Sequence, residues 1–250
     1  MKHMAIIAGL ILYICGNCAP VYSENTLLFV AQDNYAPFQY YDQNGVPRGL
    51  DVEIIQHAAK IAKVTIQIKL VPWARAIEMA RTGTADGVFG CGKVTEREQY
   101  LLFPEIPIRH SEIVFFANES FSGTIGSLQD VKNITVGCVN RYLVSQEFDT
   151  SSTIQKDITN STEQLFQKLS INRHPLAVYN KIAGWYMINK TKAANIRILP
   201  YVIASYPAYL AFSKSSQNGI KGFDKFSLAL EQMTRDGSME TITKKYLPKK

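Results

Sequence analysis

The chain alternates short β-branched runs with helix-length amphipathic segments, and this alternation restricts its possible folds more than any other feature. Residues 26–31 (TLLFVA) and 65–70 (TIQIKL) have the composition of strands. Between them, Leu50, Ile54 and Ala58 recur at helical spacing. Such alternation is typical of α/β proteins, in which helices cover the faces of a central sheet.

A second αβ set follows the first along the chain. Its predicted strands cover residues 112–117, 134–139, 176–179, 195–199 and 206–212. A terminal helix places Phe223, Phe226 and Leu230 on one face. Because no long linker separates the two sets, we expect two α/β lobes that are joined by more than one strand.

The first 23 residues have the features of a secretory signal peptide. A basic start precedes an apolar run over residues 4–15, which is shorter than the ~20 residues of a membrane-spanning helix. The small side chains that follow this run predict cleavage by signal peptidase after Ser23, which would leave a mature chain of residues 24–250. Lipid attachment at Cys18 is the alternative, although the residues before it fit that signal poorly.

Cleavage would leave two cysteines, Cys91 and Cys138, in the mature chain. The mature chain has no CxxC motif or Cys/His cluster, so we predict neither a metal site nor a cofactor. We expect two buried thiols in different lobes, with a single disulfide as the alternative in an oxidising compartment.

The loss of Lys2 would reduce the net charge of +6 by one. This excess is spread along the chain, which argues against nucleic-acid binding.

Short motifs also occur in a specific order from about residue 26 to residue 247. The first half contains YAPF at 35–38, DQNG at 42–45, GLDVE at 49–53, VPWAR at 71–75 and GTADG at 83–87. The second half contains TER at 95–97, FP at 103–104, YLAFSK at 209–214, DGS at 236–238 and KYL at 245–247. Together they resemble the periplasmic solute-binding proteins for polar amino acids, family three of the ABC-type receptors.

The resemblance implies a two-lobed fold in which the chain crosses between the lobes near residues 108–111 and 205–207. Lobe one would comprise residues 24–110 and 206–250, and lobe two residues 111–205. A hinge movement would close the cleft over a small polar or anionic solute. The family further implies a monomeric periplasmic receptor that serves an inner-membrane ABC permease or a sensor domain and is not an enzyme.

The resemblance assigns the ligand carboxylate to Arg97, and the chemistry of the side chain agrees with this role. A guanidinium offers a planar pair of donors that matches a carboxylate, and it stays charged when it is desolvated. The alternative is a surface arginine that pairs with Glu98 or Glu105. Backbone N–H groups at Gly92 are further candidates for contact with an anion.

Thr95 departs from the family pattern, because the family threonine lies one residue farther from the arginine. Residues 95–98 (TERE) match a capping box, which predicts a short helix capped by Thr95. Thr95 is therefore a candidate for the helix cap and, less directly, for ligand contact.

Three aromatic residues, Tyr35, Phe38 and Trp73, are candidates for the walls of the cleft, where rings would grip the flat or cationic part of a ligand. Ordinary core packing is the alternative for each of them. Arg75 lies two residues after Trp73 and is a second candidate for anion binding, or else a solvated arginine at a helix start.

In lobe two, the resemblance aligns residues 139–142 (VNRY) with a turn that donates to the ligand carboxylate. Arg141 and Tyr142 are larger than the usual residues there, so their side chains are candidates to reach into the cleft. Asn180 stands where amino-acid receptors carry an aspartate that pairs with the ligand ammonium. An amide supplies no counter-charge, which favours an anionic or neutral solute.

Two other functions stay open at this stage. One is an exported enzyme on the same fold, such as a cyclohexadienyl-acid dehydratase, with Glu105, Glu112 or His110 as its general acid. The other is a ligand-sensing partner of a signalling receptor. The identity of the ligand does not follow from the sequence.

Overall fold

A computed structural model of the 250-residue protein describes residues 26–140 and 142–247. The predicted signal peptide and Arg141 lie outside the described residues. None of the helices in the described ranges is both long and apolar enough to cross a membrane.

The first αβ set forms a parallel sheet with helices packed on it. Its elements are β1 Thr26–Gln32, β2 Tyr40–Tyr41, β3 Pro47–Arg48, α1 Leu50–Ala62, β4 Thr65–Val71, α2 Trp73–Thr82, β5 Gly87–Cys91, α3 Thr95–Glu98 and β6 Leu101–Leu102. Strand β1 pairs in parallel with β4 on one side and with β5 on the other. Helix α1 buries Leu50, Ile54 and Ala58 completely, as their helical spacing predicts.

The second set builds the other half of a continuous nine-stranded sheet. Its elements are β7 Arg109–Asn118, a 3-10 helix Leu128–Val131, β8 Thr135–Val139, α4 Gln146–Thr150, β9 Gln155–Thr159, α5 Thr162–Ser170, β10 Leu176–Asn180 and α6 Lys181–Thr191. Strand β8 pairs in parallel with β9 and β10, and β10 pairs antiparallel with β7.

The chain then returns to the first sheet through β11 Ile196–Ser213 and ends in α7 Gln217–Arg235 and α8 Ser238–Lys244. The sequence predicted two strands, at 195–199 and 206–212, where the structure has one strand of 18 residues. The register against β7 shifts between Ile198 and Val202. Pro200 lies in this interval and cannot donate to the ladder, which interrupts the strand pattern without ending the strand.

Strands β7 and β11 are the two crossings between the lobes. The early part of β11 pairs with β7, and its last residues pair with β5 and β6 of the first sheet. The predicted crossing segments pair with one another, with His110 opposite Pro207 and Ser111 opposite Tyr206. The two-lobed α/β fold is thereby confirmed, and the residue limits of the lobes stay a prediction.

Buried apolar clusters lie in both lobes. In lobe one, Phe29 makes edge-on contacts with Phe212 and Phe226, with ring centroids 5.6 and 5.2 Å apart. Cys91 in β5 and Cys138 in β8 are both free and buried, as predicted. Burial raises the thiol pKa to about 11 at Cys91 and to about 12 at Cys138.

Candidate functional site

The predicted ligand residues of lobe one follow the carboxyl ends of three parallel strands. Tyr35 follows β1, Trp73 follows β4, and Gly92 follows β5. Since β1, β4 and β5 run parallel, these ends lie at the same edge of the sheet. Open α/β sheets bind their ligands outside this edge.

Arg97 lies at this edge, in the short helix α3. Its Nη1 donates to the Gly92 carbonyl oxygen at 2.8 Å, and its guanidinium carbon lies 5.5 Å from the centroid of the Trp73 ring. Glu98, a predicted surface partner, instead pairs with Lys93 at 3.2 Å. Within the described ranges, no carboxylate forms an ion pair with Arg97. The structure therefore leaves most of its donors available for a ligand.

The prediction that Thr95 caps this helix is wrong. Thr95 is the first helical residue, and the N-cap is Val94, which has extended backbone and no side chain that could cap. The TERE pattern is offset by one residue from the helix start, so the Thr95 side chain is exposed and does not accept the capping bond.

The aromatic candidates differ in exposure. Tyr35 and Trp73 are half-buried, whereas Phe38 has no exposed surface. The guanidinium carbon of Arg109 lies 3.9 Å from the Phe38 ring centroid, and Tyr35 packs on Phe38 with ring centroids 5.0 Å apart. Phe38 therefore does not form an open wall, and its core packing places Tyr35 above it.

A buried ion pair that the sequence did not predict lies next to these rings. The Nε of Arg109 donates to Oδ1 of Asp51 at 2.7 Å, and both side chains are at most 3% exposed. Arg109 also donates to the Ser111 hydroxyl. Burial raises the pKa of Asp51, and the Arg109 guanidinium opposes this rise. The only indication in the local sequence was a charged residue, Arg109, at the start of an apolar strand.

Asn180 is the last residue of β10 and the N-cap of α6. Its Oδ1 accepts a hydrogen bond from the Ala183 backbone N–H at 3.0 Å, and the residue is 4% exposed. Tyr142 packs on Tyr179 at the end of the same strand, with ring centroids 4.5 Å apart. The sequence had placed Asn180 at the site, but the cap was not recognised because it required the start of α6.

The start of α6 contacts lobe one. Ile182 and Ala183 belong to the same apolar cluster as Leu50 and Phe38, and Tyr35 and Tyr179 pack against this cluster. Burial raises the pKa of Tyr35, while the nearby Arg109 lowers it. The candidate residues of the two lobes thus meet along a seam that contains Asn180.

The carboxylates near this seam are already paired. Asp51 is paired with Arg109 at 2.7 Å, and Glu112 is paired with Lys181, also at 2.7 Å. Arg75 is exposed in the first turn of α2. No group of metal-binding side chains occurs in the part of the chain that the structure describes. In the described residues the site thus combines the available donors of Arg97 with two carboxylates, Asp51 and Glu112, that are already paired.

The catalytic candidates of the enzyme hypothesis are not assembled. His110 is exposed, and its Nδ1 lies 3.4 Å from the Ser205 hydroxyl oxygen. Glu112 is held by Lys181, and Glu105 is exposed in the turn that precedes β7.

Comparisons with known proteins agree on one family. The family model for bacterial extracellular solute-binding proteins, family 3, matches residues 27–249. The arginine-binding extracellular protein ArtP of Bacillus subtilis is 23% identical over 93% of this chain and 91% of its own. The L-cystine-binding protein TcyJ of Escherichia coli is 20% identical over 90% of this chain and 84% of its own.

A solved structure with the same fold is substrate-binding domain 2 of GlnP from Lactococcus lactis, in an open conformation. It superposes with a TM-score of 0.74 at 18% identity and covers 92% of this chain and 98% of its own.

Proposed function

The chain belongs to family 3 of the bacterial extracellular solute-binding proteins, and from this membership we propose that it binds a small anionic or neutral polar solute between its lobes. The observation that carries the proposal is Asn180, an uncharged and buried helix cap at the seam between the lobes. A zwitterionic amino acid would bring an ammonium group to a position where Asn180 supplies no counter-charge, and burying an unpaired charge is costly.

The side chains of lobe one support an anionic ligand. Among the described residues, Nη1 of Arg97 contacts the Gly92 carbonyl oxygen and the Cys91 sulfur, and the other guanidinium nitrogens have no partner. The position of Arg97 beside Trp73 gives a ligand both charge and an aromatic surface. Arg75, Gly92 and Thr95 lie at the same edge of the sheet and complete the lobe-one part of the proposed site together with Tyr35. Tyr142 and Asn180, with Arg141, are the proposed contacts from lobe two.

The paired acids strengthen the argument about charge. Asp51 is neutralised by Arg109 and Glu112 by Lys181, so neither is free to balance a ligand ammonium. A bound carboxylate, by contrast, would face the Arg97 guanidinium in a partly desolvated place, where such hydrogen bonds are strong.

We further propose that the protein is a periplasmic receptor for an ABC permease and not an enzyme, and that its signal peptide is removed after Ser23. The relatives ArtP and TcyJ are named for arginine and cystine binding, and they support a binding role. Their ligands do not transfer directly, because arginine and cystine both carry α-ammonium groups, for which Asn180 supplies no counter-charge.

Calorimetric titration with amino acids, dicarboxylates and neutral polar solutes tests the proposal. We expect ordinary zwitterionic amino acids to bind at least ~10-fold more weakly than the best anionic or neutral solute, a difference of ~1.4 kcal/mol. Arg97→Ala should weaken binding of the best ligand by ~2–5 kcal/mol. Arg81→Ala, which changes an exposed arginine, serves as the control and should leave this binding unchanged.

Asn180→Asp provides the complementary change, because it keeps an oxygen at the cap and adds the missing charge. We expect this variant to reduce the difference in affinity between zwitterionic and anionic solutes. Micromolar binding of a plain α-amino acid to the unmutated protein, with nothing anionic or neutral binding better, would show that the proposed ligand class is wrong.

A further inference from the structure

A cavity of about 400 Å³ lies on lobe one, away from the predicted ligand site. Leu27 at the start of β1, Val64 before β4 and Gly222 in α7 form its apolar part. Strands β1 and β4 pair in parallel over seven residues, so ~20 Å of strand separates this cavity from the edge that carries Trp73. The cavity is therefore separate from the cleft between the lobes.

Three lysines surround the cavity, namely Lys63, Lys221 and Lys225. Lys221 and Lys225 lie one turn apart on the same face of α7, and Lys63 is the left-handed C-cap of α1. Over the described ranges, none of the three forms an ion pair with a carboxylate. Like charges at this spacing repel each other, and three lysines without an ion-pair partner in these ranges line one cavity.

We propose that this cavity is a second binding site, which takes a small amphipathic anion. The ammonium groups of the three lysines would hold a phosphate or carboxylate group as point charges. Leu27 and Val64 would contact a short apolar or aromatic body. A volume of about 400 Å³ falls within the ~300–1,000 Å³ of typical small-molecule sites.

The full chain titrated with phenyl phosphate, a probe with both an anionic and an aromatic part, tests this proposal by NMR of the backbone amides. We expect saturable shifts at Thr65, Asn218 and Gly222. Lys221→Gln combined with Lys225→Gln should lower the affinity for the probe about fivefold or more, because each exposed ion pair contributes a modest amount. Inorganic phosphate should bind more weakly than phenyl phosphate, because it lacks the apolar part.

A matched control removes the same charge elsewhere. Lys132→Gln combined with Lys192→Gln takes two exposed lysines from lobe two and should leave the affinity for the probe unchanged. Equal weakening in both double variants would show that general charge attraction explains the binding. Shifts confined to Gly92 and Trp73 would assign the probe to the cleft, and either result, or the absence of saturable shifts, would overturn the proposal. None of these results depends on the ligand of the cleft.

Discussion

At the scale of single residues, the sequence identified partners that are local and missed those that are distant. Arg97 was predicted as a ligand residue because its motif, its neighbours and its chemistry all lie within a few positions, and this role stays a prediction. The pairing of Asp51 with Arg109 was not found, because the two residues are far apart in sequence and their contact exists only after α1 packs against the start of β7. Asp51 by itself matched a dipole-stabilising acid in a first helical turn.

Breaking this buried pair should destabilise the protein strongly. We expect Asp51→Asn and Arg109→Gln each to lower the free energy of unfolding by ~3–5 kcal/mol, because each leaves one charge buried without its partner. The double variant should lose less than the sum of the two, because neither charge remains. Urea unfolding measures all three variants.

The exposed pair of Arg81 with Glu78, at 2.7 Å, provides the control. Arg81→Gln should change the free energy of unfolding by less than ~1 kcal/mol, since both charges stay hydrated. Strictly additive losses in the Asp51 and Arg109 variants would show that the two side chains do not stabilise each other.

At the scale of elements, amphipathic helices were predictable and their ends were not. The spacing of apolar residues that begins at Leu50 predicted α1, because this pattern depends only on residues within the helix. The ends of α3 and α6 depend on which residue leaves the helical backbone first. One position decides whether Thr95 caps a helix or begins it, and the periodicity of the side chains does not specify that position.

The cap at α6 gives a direct test of the role of Asn180 in the fold. Asn180→Ala removes the oxygen that accepts from the Ala183 N–H, and we expect a loss of ~1 kcal/mol in the free energy of unfolding. Ser161→Ala, which removes the equivalent cap of α5, should cost a similar amount. A fully stable Asn180→Ala variant would mean that the side chain does not serve as the cap, and chemical denaturation distinguishes the two results.

At the scale of the whole molecule, the order of motifs was enough to predict two lobes and two crossings. The sequence did not predict that the crossings pair with each other, because β7 and β11 are separated by the whole of lobe two. It also did not show how the start of α6 would meet lobe one, since that contact depends on how the two halves of the sheet are placed relative to each other.

A truncated chain tests how the lobes depend on the C-terminal segment. A mature chain that ends at residue 205 lacks Phe212 and Phe226, which pack against Phe29. We expect the NMR signals of β1 and α1 to lose their native dispersion, whereas those of β8 and α5 retain it. Native signals from β1 in this truncated chain would show that lobe one does not require the C-terminal segment.

The contact of Phe29 with Phe212 and Phe226 also fixes when the protein can fold. The first strand emerges from the ribosome long before its packing partners, so the core of lobe one stays incomplete until nearly the whole chain has been synthesised. Such non-local cores form slowly. Late completion of this core suits a member of an extracellular family, because a chain that is still unfolded can be threaded through a membrane more easily than a folded one.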